Sequence, residues 1–151
     1  MATMRFSLSK IAGPNLPKKS LPSKHLQISS VEIEEEKVEC LSRALKVAID
    51  PILLGLTKNL SLQVDIEVPV VATAGLPQPY DAWTAYLDGK TTIYFNLSQW
   101  TTEALELDAP GVLMHEATHA LLHPMLARKD ELSFRERLDL IVLDEGIAHC
   151  N

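Results

Sequence analysis

The chain has 151 residues, of which 46% are hydrophobic, and it carries a formal net charge of -6 at pH 7. This length suits one domain with its own hydrophobic core. No uninterrupted apolar run approaches about 18 residues, so we expect a soluble and most simply cytoplasmic protein without a transmembrane segment. Cys40 and Cys150 are too few for a disulfide framework or a cysteine zinc site.

Charge is distributed unevenly along the chain. Residues 1–31 contain five basic residues and no acidic one, whereas residues 32–151 contain nine basic and twenty acidic residues. This acidic main part argues against nucleic acid as a partner. Residues 1–30 are rich in serine and proline, and we expect them to form a flexible basic arm, with a targeting segment as the alternative. The folded domain is expected to occupy residues 31–151.

The predicted domain begins with a helix and a strand. Apolar residues recur at helical spacing from Val31 to Ile49, and Asp50-Pro51 predicts the start of a short continuing helix from Ile52 to Leu56. Alternating apolar and polar residues from Leu62 to Val68 predict a half-buried strand. The segment from Val70 to Tyr80 contains glycine and prolines and is predicted to be a loop.

Two further strands are predicted to form a hairpin. Ala82 to Leu87 and Thr91 to Leu97 flank Asp88-Gly89-Lys90, a sequence typical of a turn between antiparallel strands. We therefore expect a small, mostly antiparallel sheet. If the second strand is the sheet edge, Tyr94 and Asn96 are candidates for binding an extended peptide by strand addition. An interior or merely exposed strand is the alternative.

His115-Glu116-Ala117-Thr118-His119 is an HExxH motif within a segment that is apolar on nearly all sides of a helix. Residues four apart lie on one helix face, so both imidazoles can bind one metal ion. A catalytic zinc ion leaves one position to water and lowers the pKa of that water to about 7. Glu116 is the candidate general base. A solvated polar patch is the alternative, but burying these groups without a partner costs several kcal/mol.

A third candidate ligand lies further along the chain. Glu145 falls within an apolar stripe at helical spacing that consists of Phe134, Leu138, Ile141 and Ala148. An unpaired carboxylate is costly in such a position, which makes Glu145 the predicted third metal ligand, with a buried ion pair as the alternative. We expect one zinc ion per chain, although two histidines and a glutamate also accept cobalt, manganese or iron.

The HExxH helix followed by Glu145-Gly146-Ile147-Ala148 resembles the gluzincin metallopeptidases over roughly residues 90–150. Leu138 to His149 is similar to predicted zinc proteases of the DUF2268 type, and the small size resembles the minigluzincins. The resemblance implies a zincin-like α+β fold, with the sheet packed on the HExxH helix and a following glutamate helix. It also implies a peptide or protein substrate held along the strand before the HExxH helix. The implied site residues are His115, His119 and Glu145 as zinc ligands and Glu116 as general base.

The end of the chain leaves part of this mechanism open. Gluzincins commonly supply an oxyanion stabiliser after the glutamate helix, but this sequence stops at Asn151, so a C-terminally truncated domain is one expectation. His149 lies one helical turn beyond Glu145 and is the candidate that either stabilises the oxyanion or orients a ligand.

Two classes of function follow from these residues. The first is a zinc metallopeptidase that hydrolyses peptide bonds by a metal-activated water, with Glu116 as base. The second is an inactive or zymogen-like zinc-binding module. The segment around the HExxH motif also has a local resemblance to the ImmA/IrrE regulatory peptidases, which is a further alternative.

Overall fold

The computed structural model describes residues 3–59, 65–87 and 89–126 of the chain. These residues form a four-stranded sheet and three α-helices, which confirms the predicted α+β class. The strands are β1 (Thr3–Lys10), β2 (Asp65–Thr73), β3 (Ala82–Leu87) and β4 (Lys90–Asn96), and the helices are α1 (Glu35–Asn59), α2 (Thr102–Leu107) and α3 (Ala109–Leu126).

The described sheet is mixed, with the strand order β1-β2-β4-β3. The β1–β2 and β2–β4 pairings are parallel, and the β3–β4 hairpin is antiparallel. The prediction of a mostly antiparallel sheet is therefore wrong for these strands. For β1 and β2 the cause is the connection through α1, because a helical crossover between paired strands makes them parallel. Strands β2 and β4 are parallel because β3, which lies between them in the chain, occupies the outer position and runs antiparallel to β4.

The prediction of a flexible N-terminal arm is wrong for the part that forms β1. Met4, Phe6 and Leu8 alternate with polar residues and pack into the core, with Met4 buried. Residues further along the arm cover the second face of the sheet, where Leu16 is buried and the Trp83 indole N–H donates to the Ser20 carbonyl at 2.7 Å. This segment is rich in serine and proline, but its apolar side chains decide its structure.

Helix α1 replaces the two helices predicted between Val31 and Leu56. It begins at Glu35 and continues through Pro51 to Asn59. Its buried stripe crosses the proline without interruption and consists of Leu41, Leu45, Ala48 and Ile52. Proline removes one helical hydrogen bond, but burial of the continuous stripe against the sheet offsets that loss.

Strand β2 extends beyond the predicted strand into the segment predicted as a loop. Val70, Val71, Ala72 and Thr73 are all buried, because β2 lies between β1 and β4 and both of its faces are covered. A strand buried on both faces has a nearly continuous apolar sequence instead of an alternating one. The first residues of the predicted strand, 62–64, lie outside the described residues.

The hairpin follows the prediction, and Gly89 adopts a positive φ of 78° at its turn. One face of the sheet packs against the helices through a core that includes Ile93, Phe95, Leu41 and Leu113. The opposite face packs against the N-terminal segment around Trp83. None of the helices in the described residues is long and apolar enough to span a membrane.

Candidate functional site

Helix α3 positions the HExxH motif beneath the β3–β4 hairpin. Leu113, Ala117 and Ala120 lie on one side of this helix and are essentially inaccessible to solvent. The small alanines allow close approach to the neighbouring core, which fixes the rotation of α3. His115, Glu116 and His119 are consequently half-buried at the margin of the core rather than enclosed within it.

The two histidines of the motif converge on each other. Their Nε2 atoms are 3.0 Å apart, and the rings meet edge to face at an interplanar angle of 78°. Two nitrogens on one tetrahedral zinc ion, each about 2.0 to 2.1 Å from it, lie roughly 3.3 Å apart. The pair therefore fits a shared metal ion after a shift of a few tenths of an ångström. Among the described residues, no set of three histidine, cysteine or acidic side chains is grouped suitably for a metal.

Glu116 has a defined partner on the sheet. The Thr84 hydroxyl on β3 donates a hydrogen bond to Oε2 of the Glu116 carboxylate. Helix α3 packs against both β3 and β4, so this contact joins the motif to the outermost strand of the hairpin. Glu116 follows His115 directly and precedes Ala120 by one helical turn. Its carboxylate lies on the side of α3 that faces β3.

The edge strand beside α3 is β3, and no described strand pairs with its outer side. The Asn96 N–H donates to the Asp81 carbonyl at 2.8 Å, immediately before β3 begins. Hydrogen-bonded and non-hydrogen-bonded pairs alternate along an antiparallel ladder. Thr84, paired with Ile93, is therefore in a non-hydrogen-bonded pair. Its backbone N–H and C=O point away from β4, toward the outer edge of the sheet.

Of the alternatives for Tyr94 and Asn96, an edge strand and an interior strand, the described sheet has the interior one, so their peptide-binding role, which depended on the edge, is corrected. Both belong to β4, which lies between β2 and β3. Tyr94 is buried and stacks on Trp83 with ring centroids 5.2 Å apart, while Asn96 is fully buried. The Asn96 amide donates to the carbonyls of Leu76 and Tyr80 at 2.9 and 2.8 Å. These side chains are buried and stabilise the core and the loop before β3.

The predicted ligand Glu145 and the candidate oxyanion or orienting residue His149 lie outside the described residues. The structure adds Thr84, which the sequence analysis did not select. The sequence feature that points to Thr84 is its place in the alternation of β3. Trp83 and Ala85 face one side of the sheet, so Thr84 between them faces the other side, where the helices pack. Thr84 and Glu116 are 32 positions apart in the chain, and no local sequence pattern predicts a contact between residues so far apart.

Comparison of this chain with models of protein families, with curated proteins and with solved structures gives no match.

Proposed function

We propose that this protein is a zinc-dependent peptidase whose reaction takes place between α3 and the edge of β3. The observation that carries the proposal is the convergence of the His115 and His119 Nε2 atoms to 3.0 Å, on a helix whose Glu116 carboxylate is held by the Thr84 hydroxyl. Two imidazoles four residues apart, followed by a general base, are the elements of metal-assisted hydrolysis.

The metal would be held by His115 and His119, with Glu145 as the proposed third ligand. When bound, zinc acts as a Lewis acid that acidifies water and polarises a carbonyl group. Histidine nitrogens and a carboxylate oxygen are suitable zinc donors, and three protein ligands leave a position open for catalysis. A structural zinc site would instead need four closed ligands and no base.

Glu116 is the proposed general base. Its carboxylate takes a proton from the attacking water as the oxygen bonds to the scissile carbonyl carbon. It then returns that proton to the leaving amine as the carbon–nitrogen bond breaks, so the proton count balances over the reaction. The half-buried setting suits this role, because the carboxylate is reachable while much of its surroundings is protein.

The substrate is proposed to be an extended peptide that adds as a strand to the outer edge of β3. The outward N–H and C=O of Thr84 can pair with a peptide backbone, and Thr84 lies beside Glu116. Pairing through the main chain gives affinity with little dependence on sequence, and alternate side chains of the peptide then face α3. This arrangement would bring a peptide carbonyl close to the base.

The test of this proposal is hydrolysis of a peptide library by the zinc-loaded protein and by its Glu116→Gln variant. We expect the variant to keep its zinc and to lose at least about a hundredfold in kcat, because the amide cannot accept the proton. Glu103→Gln is the matched control, since Glu103 is an exposed acid on α2. Undiminished hydrolysis by a zinc-loaded Glu116→Gln variant would show that the general-base assignment is wrong.

A further inference from the structure

Thr84 contacts both parts of the proposed site. Its hydroxyl donates to Glu116, and its backbone polar groups point to the outer edge of β3. The hydroxyl therefore touches the base, while the main chain of the same residue lies where a substrate strand would pair. Strand β3 also packs directly on α3, so the two groups are held in a fixed relation by the fold.

The hydrogen bond restricts the position of the Glu116 carboxylate. A glutamate side chain has several rotatable bonds, and a half-buried carboxylate on a helix can adopt more than one rotamer. A hydroxyl that donates to an ionised carboxylate makes a charge-assisted bond, which is stronger than a neutral one. With Oε2 held by Thr84, Oε1 is left to accept a proton from water.

We propose that Thr84 is a positioning residue that aligns the Glu116 carboxylate with a peptide paired on β3. This inference rests on the proposed peptidase function. Because one residue supplies both the edge backbone and the hydroxyl, the distance between the bound peptide and the base depends on a single side chain. A threonine is well suited here, since its β-branched side chain has few rotamers and favours strands.

A purely structural role of the Thr84 hydroxyl would affect stability and not turnover. If the Thr84 hydroxyl served only to satisfy a half-buried carboxylate, its removal would lower the free energy of unfolding and leave turnover of the folded enzyme unchanged. A positioning role instead predicts a loss in kcat with little change in KM, because the peptide still pairs with the unchanged backbone.

The experiment compares Thr84→Val and Thr84→Ser with wild type, measuring kcat, KM, zinc content and the midpoint of thermal unfolding. We expect Thr84→Val to bind zinc normally and to lose about tenfold in kcat, with KM within about twofold of wild type. Thr84→Ser should restore most of the rate, because it keeps the hydroxyl. Thr92→Val is the matched control on β4, since Thr92 pairs with Ala85 and faces the opposite side of the sheet.

The result that overturns the proposal is a folded Thr84→Val variant with the kcat of wild type, or a Thr84→Ser variant as slow as Thr84→Val. If the valine variant does not fold, Thr84→Ala and Thr84→Ser give the same comparison, because these two differ only in the hydroxyl. Loss of activity in Glu116→Gln alongside an unaffected Thr84→Val overturns only the positioning role. Absence of hydrolysis by zinc-loaded wild type overturns the peptidase function and this inference with it.

Discussion

The two edges of the sheet have different side chains and different neighbours. Strand β1 carries charged residues at its edge, with Arg5 3.7 Å from Glu67 and Lys10 2.9 Å from Glu35. Strand β3, from Ala82 to Leu87, has no charged side chain and lies against the HExxH helix. Charged edge strands disfavour pairing with another chain, whereas an uncharged edge permits it. The charge difference suits substrate pairing at β3 and disfavours it at β1.

This comparison depends on β3 being held in place, and the buried Asn96 is expected to contribute to this because its amide bonds the loop before β3. Asn96→Ala removes one buried and one partly buried hydrogen bond to the loop before β3, so we expect the free energy of unfolding to fall by about 2 kcal/mol. Urea unfolding measures this change. Asn15→Ala, at an exposed position, is the control and should alter stability by less than about 0.5 kcal/mol. Equal stability of the two variants would contradict the anchoring role.

A smaller effect, on kcat/KM, is expected when the backbone of the peptide substrate is modified. In a peptide that the protein cleaves, methylation of a single backbone nitrogen removes one donor without changing a side chain. Only alternate residues of a paired strand direct their N–H groups to the neighbouring strand. We therefore expect kcat/KM to fall about tenfold at every second position near the scissile bond and little at the positions between them. A uniform loss along the peptide, or none, would contradict strand addition at β3.

The sequence predicted the local features of the site and not the long-range ones. His115 and His119 converge because four residues make one helical turn, which sequence spacing reports directly. The hairpin was also predictable, because a short turn with Gly89 fixes the pairing of its strands. Both features depend only on neighbouring residues.

Other features depend on pairings between distant segments. Strand β4 is interior because β2 pairs with its other side, and the apolar β2 segment from Val70 to Thr73 was predicted to be a loop. The short alternation of Met4, Phe6 and Leu8 lies within a basic segment that is rich in serine and proline. Consequently the sequence left the position of β4 in the sheet open, and it gave no reason to select Thr84 as a site residue.

The central claim is that His115 and His119 bind a zinc ion, and metal content tests it most directly. Elemental analysis of the wild-type protein, after zinc is supplied and the excess removed, should find about one zinc per chain. His115→Ala and His119→Ala should each lose most of this zinc, while His25→Ala, at an exposed position outside the site, should retain it. Zinc-free wild-type protein, or equal zinc in all three variants, would contradict the claim.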